Sequence, residues 1–473
     1  MSDTPRIAVI GGGLAGIAAA LDCAHAGASV TLVEVRRRLG GAAYSFERDG
    51  LMIDNGQHVF LRCCTAYRGL LGRLGSEHRV AVQSRLEIPV LKPGGETLVL
   101  RRGSLPAPLH LAATLMRYRH LTVPQRVGAA RAALALARTA PGDPELDRVT
   151  FGDWLAAHGQ GPDAVAALWD LIALPTLNLP AAQASLALGA FVFRTGLLSG
   201  ADAGDIGFHV GTLSETIGEP AMTALRRAGV EVKLGWRAER LSKTATGIEV
   251  EGGTSEGDGV SAEAAILAVP HTRAATLLEP LAPDLARRLA SLGSSPIVNL
   301  HLVYDRQVCE HPFAAGVGTP VQYLFDRTVA AGAPAGSQYL AVSLSGAEQE
   351  MGMSVDALRE RYLPALRELL PRSRQAKVER FVVTREHAAT FRAAPGVASL
   401  RPGPESPVSG LLLAGVWTDT GWPATLEGAV LSGHAAADLA LEALELEPRR
   451  AAAPIDPGEG APAGRRLAPR PAR

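Results

Sequence analysis

Residues 6–34 read RIAVIGGGLAGIAAALDCAHAGASVTLVE, and this stretch decides the fold. Arg6-Ile7-Ala8-Val9-Ile10 is a short apolar strand. Gly11-Gly12-Gly13-Leu14-Ala15-Gly16 is a tight turn that opens a helix, and Val30-Thr31-Leu32-Val33 is a second strand ending at Glu34. A dinucleotide needs this layout. Gly11 permits the turn, Gly13 lets the backbone approach a pyrophosphate, and Gly16 lets helix and strand pack closely. The helix N-terminus offers unpaired N–H groups to phosphate, and Glu34 is placed to accept from a ribose hydroxyl. A glycine triplet alone is weak evidence; the strand–turn–helix–strand context makes it a dinucleotide signal.

The bulk of the chain narrows the class. Its 47 basic and 47 acidic residues cancel, which argues against a nucleic-acid partner. At 473 residues it has room for roughly two or three domains. With 47% hydrophobic residues, 51 glycines and only 5% aromatics, it suits a packed α/β enzyme, not a disordered or fibrous chain. Cys23, Cys63, Cys64 and Cys309 form no CxxC, so neither a disulfide framework nor a metal site is expected, and a reducing, cytoplasmic setting fits. The first strand follows the N-terminus directly, so no signal peptide is expected. The longest uncharged stretch, 171–193, is interrupted by Pro175, Asn178, Pro180 and Gln183. It predicts a buried helix, a break and a second helix, not a membrane span.

Further along, residues 85–100 alternate around Pro93-Gly94-Gly95-Glu96 and predict a hairpin. From 97 to 142 there is no acidic residue but seven arginines (101, 102, 117, 119, 126, 131 and 138), interleaved with Leu105, Leu109, Leu111, Leu115, Met116, Leu121 and Val127 ahead of a helical run over 129–137. Such a stretch suits an anionic bilayer surface, an acidic partner, or a solvated arginine face over an ordinary core. A helix over about 213–228, the strand Val230–Leu234 and the apolar strand Ala264–Val269 can return to the first sheet. Strands are predicted at 295–303, 337–344 and 377–383, with an amphipathic helix over 355–370. Leu411-Leu412-Leu413-Ala414-Gly415 is a buried strand before a turn at 418–421 and a long small-residue helix over about 424–444. Beyond 445 the chain is rich in Pro, Ala, Gly and Arg and reads as a disordered tail.

Three blocks together resemble the flavin-dependent amine oxidase and phytoene desaturase superfamily. They are GGGLAG with Glu34 and Leu39-Gly40-Gly41, the GVEVKLG and ILAVP pair, and LLLAG followed by TDTGWPATLEGAV. Asp54-Asn55-Gly56-Gln57-His58, Leu174-Pro175-Thr176-Leu177-Asn178 and Trp417-Thr418-Asp419-Thr420-Gly421-Trp422-Pro423 look like its squalene-associated branch, the hydroxysqualene dehydroxylases of bacterial hopanoid biosynthesis. The resemblance implies an α/β fold: a Rossmann-like FAD-binding domain with an interleaved α+β substrate domain. FAD-binding segments are expected at 1–80, 206–290 and 406–444, substrate-domain segments at 81–205 and 291–405, and the tail at 445–473.

By the same resemblance Gly11, Gly13, Gly16, Glu34, Gly40 and Gly41 hold the ADP half of FAD, and Val232 meets the adenine. Gly415 and the helix starting near Thr425 approach the ribityl chain and the flavin, where a helix N-terminus favours the negative charge of the reduced ring. Two departures stand out. Ala42 replaces a common arginine or lysine, and Val416 replaces an acidic residue that binds the polyol chain; Glu427 or Asp419 is the expected substitute.

The implied reaction is hydride delivery from reduced FAD to an allylic C30 alcohol with loss of water. Hydroxide leaves poorly, so an acid must protonate it, and apolar walls must exclude water. The candidate acid is Asp54 working through His58, then Asp419. The competing assignments are a turn-capping Asp54 and a merely hydrogen-bonded His58. Phe191, Phe193, Trp417 and Trp422 are the candidate apolar lining, against the alternative of ordinary core. The partners implied are a C30 isoprenoid, with contact at the inner face of an anionic membrane or with the enzyme producing hydroxysqualene. A carotenoid-type desaturase, and a non-catalytic flavoprotein partner in isoprenoid assembly, are the competing readings.

Overall fold

The structure is a computed structural model that describes residues 4–448 apart from 141 and 254–257; most of the expected tail lies outside the described residues. Five parallel strands form the central sheet in the order Glu231–Leu234, Ser29–Glu34, Arg6–Ile10, Ala264–Leu267, Leu411–Leu413. Such strands, covered on both faces, need continuous apolar runs, which explains AAIL at 264–267 and LLL at 411–413. One face is covered by the helices Leu14–His25 and Leu426–Ala443, which pack on each other. Both are built from alanine and glycine, and Gly433 lies directly against the backbone of Ala15. Small residues let the helices close on each other over the glycine turn.

A seven-stranded sheet makes the second layer. Its order is Val378–Thr390, Ser295–Tyr304, Gln338–Ser345, Tyr323–Asp326, Phe313–Gly316, Glu87–Lys92, Glu96–Arg101. The expected hairpin at 85–100 therefore forms and extends this sheet. The helix Val355–Leu369 buries Leu358, Tyr362, Leu366 and Leu369 beneath it, at helical spacing.

The helices Val123–Ala137, Phe151–Ala157, Asp170–Leu177 and Leu186–Phe193 form a third group. The uncharged 171–193 stretch is helix, break, helix, as its prolines predict. Asn178 stops the first of these with a left-handed φ of 53°. Its side chain accepts from Gly346 N at 2.7 Å and donates to Ser295 O at 2.9 Å, so the break also ties the helices to the large sheet. Among the described residues no helix is long and apolar enough to cross a membrane.

Candidate functional site

The nucleotide cradle is made mostly of backbone. Gly11 N donates to Val33 O at 2.8 Å and Gly40 N to Gly12 O at 2.9 Å, which stitches the first turn to both the second strand and the 39–41 loop. A Cβ on Gly16 would sit 1.9 Å from Gly11 O, so no other residue fits there. Gly41 has φ +58°, and a Cβ on it would lie 2.7 Å from Gly13 Cα. Glu34 is buried; its carboxylate accepts from Gly12 N and Arg36 N, both at 2.7 Å. Those bonds fix its direction and leave lone pairs for a ribose hydroxyl. Val232 pairs with Leu32 on the edge strand beside Glu34. At Ala42, where a cation is absent, Arg38 supplies one: its guanidinium lies 3.5 Å from the Tyr44 ring centroid and donates to Gly41 O at 3.1 Å.

The second element is the Asp54–His58 loop. Asn55 joins it to the cradle, accepting from Tyr44 N at 3.1 Å and donating to Ala42 O at 2.9 Å and to Glu386 at 2.9 Å. Asn299 and Thr384 of the large sheet donate to Asn55 O at 3.0 and 3.2 Å. The loop is thus clamped between the two layers. Asp54 is an anchor in this arrangement. One oxygen accepts from Ser45 Oγ at 2.6 Å and Leu213 N at 3.0 Å, and the other from Arg327 Nη2 at 2.8 Å. Both oxygens are thus held by partners from other segments of the chain. That geometry makes Asp54 an anchor that ties the loop to Ser45, Leu213 and Arg327; none of these bonds goes to the Asn55–Gly56 turn.

His58 faces a different environment. Burial pushes its proton affinity below the ordinary imidazole range, against opposing pulls from the Asp54 charge and the Ala42 backbone. Its carbonyl accepts from His209 Nδ1 at 2.9 Å, and His209 Nε2 accepts from Tyr67 OH at 2.7 Å. Burial holds His209 neutral, with its pKa down at about 3. Arg327 closes the network by donating to the carbonyls of His209 and Gly211. Beside it, Gln57 Nε2 and Asn299 Oδ1 are buried without a partner among the described residues. Buried polar atoms left in this state call for a partner, which a bound ligand or a water supplies.

The third element is the 415–425 loop. Gly415 ends the edge strand and donates to Ser432 Oγ at 2.8 Å; Thr425 caps the helix Leu426–Ala443, accepting from Gly428 N at 3.2 Å. Arg401, which no sequence pattern marked, staples the loop. It is 4% exposed and donates to the carbonyls of Thr418 and Trp422, at 2.5 and 2.7 Å.

The remaining candidates divide. Trp417 is 1% exposed and donates Nε1–H to Val269 O at 2.8 Å, so it is core. Phe193 is core as well, packed on Trp169 and Phe151 with ring centroids 5.0 and 5.5 Å apart. Trp422 and Phe191 are half-buried and meet edge-on at 5.1 Å, joining the middle helices to this loop. Asp419 is exposed, accepts from Gly421 N at 3.1 Å and lies 3.9 Å from Arg401. Glu427 is buried and caps the helix Thr65–Leu74, accepting from Ala66 N at 2.9 Å and Tyr67 N at 2.7 Å. Its carboxylate is thus directed at that helix end.

The cradle, the orphaned amides and the capped helix end fit FAD; at Val416 the expected side-chain acceptor is absent. Comparison with known proteins agrees. The family profile described as flavin containing amine oxidoreductase matches residues 14–441. A hydroxysqualene dehydroxylase of Rhodopseudomonas palustris is 31% identical over 444 residues, covering 92% of this chain and 98% of the relative. A probable zeta-carotene desaturase of Synechococcus elongatus is 25% identical, covering 93% and 99%. The crystal structure of an oxidoreductase from Methanosarcina mazei shares the fold with a TM-score of 0.71 at 16% identity, covering 91% and 99%. By profile, end-to-end kinship and fold, the chain belongs to the flavin-containing amine oxidoreductases, in the branch of the hydroxysqualene dehydroxylases.

Proposed function

We propose that this protein is an FAD-dependent oxidoreductase that converts hydroxysqualene to squalene. The observation that carries the reading is the 31% identity to a hydroxysqualene dehydroxylase across nearly the full length of both chains. The glycines at 11, 13, 16, 40 and 41, with Glu34, would hold the ADP half of FAD, and Gly415 and the Thr425-capped helix end would face its flavin. FAD, when bound and reduced, supplies the hydride.

In this reading His58 carries the proton for the departing hydroxyl. A histidine whose proton affinity is depressed by burial is a strong acid whenever it is protonated. Asp54, Asn55 and Arg327 position His58 by fixing the loop on both sides. Phe191 and Trp422 supply apolar walls that keep water from competing for the allylic cation. The C30 substrate would arrive from the inner face of the membrane or from the enzyme that makes it.

A carotenoid-type desaturase is the second reading, favoured by the 25% identity to a probable zeta-carotene desaturase. It needs no acid for a departing hydroxyl. The deciding experiment is anaerobic: reduce the flavoprotein, add hydroxysqualene, and follow flavin reoxidation together with squalene. Stoichiometric squalene supports dehydroxylation. Reduced flavin that persists in the presence of bound substrate refutes it.

A further inference from the structure

Fourteen large apolar side chains are exposed among the described residues, and six of them fall between 105 and 134: Leu105, Leu109, Met116, Val123, Val127 and Leu134. The same stretch holds arginines without carboxylate partners. Arg101 pairs with Glu87 and Arg102 with the buried Asp205. Arg117, Arg119, Arg131 and Arg138 are exposed and have no ion pair among the described residues.

The helix Val123–Ala137 shows how the two features combine. Its buried residues are Ala129, Ala132 and Leu136, which form one inward stripe. Val123, Val127, Arg131, Leu134 and Arg138 are all exposed, at spacings of four, four, three and four, and so share the outward face. A helix bathed in water places polar residues outward. This one presents leucine, valine and unpaired arginine, with no acid anywhere from 97 to 142.

We propose that this outward face, with the exposed Leu105, Leu109 and Met116 of the segment that precedes it in the chain, docks on an anionic lipid bilayer. The apolar side chains would enter the headgroup boundary while the arginines meet lipid phosphates, which is the division of labour of an interfacial helix. The helix packs on the helix Leu186–Phe193, and that helix carries Phe191 against Trp422. One layer of helices thus connects the docking face to the site. Why such a face exists rests on the polyisoprenoid reading; the docking itself does not.

The test uses flotation of the FAD-loaded protein with phosphatidylcholine vesicles, alone or with phosphatidylglycerol, at low and high salt. Capture should require phosphatidylglycerol and be released by high salt. Replacing Arg117, Arg119, Arg131 and Arg138 by Gln should weaken capture about fivefold per arginine at low salt. Val123→Ser with Val127→Ser and Leu134→Ser should weaken it at least tenfold. Both variants should keep the wild-type melting temperature and the wild-type rate on detergent-dispersed hydroxysqualene. Wild-type protein that stays off the vesicles, binds them regardless of lipid charge, or docks as well after these substitutions overturns the proposal. So does retention only by an acidic protein. Docking without squalene formation would leave this proposal standing and remove the one about the reaction.

Discussion

The two ends of the cofactor site are built on different terms. The nucleotide cradle is mostly backbone against backbone, centred on residues 6–41, and its closest approaches, at Gly16 and Gly41, depend on the absence of a side chain. The reaction side is held by side chains from distant positions: Arg327 reaches Asp54 across 273 residues, and Arg401 staples carbonyls at 418 and 422. The first end tolerates almost no added atom, whereas the second depends on charges that must be matched. Substitution should therefore act sterically at one end and electrostatically at the other.

Gly16→Ala tests the steric side and should have the largest effect, because its Cβ would overlap Gly11 O. The purified variant should carry no flavin absorbance. Arg327→Leu tests the other side. It leaves the buried Asp54 without its countercharge and should cost about 3–5 kcal/mol of stability. Urea unfolding would measure this, and Arg327→Lys should restore part of it.

His58→Gln keeps the size and a hydrogen bond but cannot bring a proton. Dehydroxylation should fall about a hundredfold with FAD affinity unchanged. The pH dependence gives a sign. The His58 pKa lies below 6.5, so the wild-type rate should still be rising as pH falls past 6.5, and the variant should lose that rise. Val416→Asp is the mildest change. One new acceptor for a polyol hydroxyl is worth about 1 kcal/mol, so FAD should bind roughly fivefold tighter in a fluorescence titration.

The same contrast explains what could be read in advance. The cradle, the 93–96 hairpin turn and the break after Leu177 are local, and glycine and proline announce them in sequence. Arg327 follows the strand Tyr323–Asp326 in a stretch with no motif, and only the pairing of that strand with Gln338–Ser345 delivers it to Asp54. Trp417 and Trp422 sit five residues apart in one loop, yet one binds Val269 and the other meets Phe191. Nothing local distinguishes them. Glu427 looked free for the cofactor because the helix end it caps, Thr65–Leu74, is 360 residues away in the chain. His209 had no pattern at all; its role comes from the two elements that close over it.

The central sheet also sets a schedule. Its middle strand, Arg6–Ile10, pairs with Ala264–Leu267, whose outer neighbour is Leu411–Leu413, and its covering helix Leu14–His25 packs on Leu426–Ala443. A ribosome making about 5–20 residues per second needs about 20–80 s between the first of these pieces and the last. Until then the glycine turn has been made but its roof has not, and the small-residue helix has no mate. The site can close on FAD only when synthesis is nearly finished, so a chain truncated before 411 should be unable to retain the cofactor and be left to proteolysis.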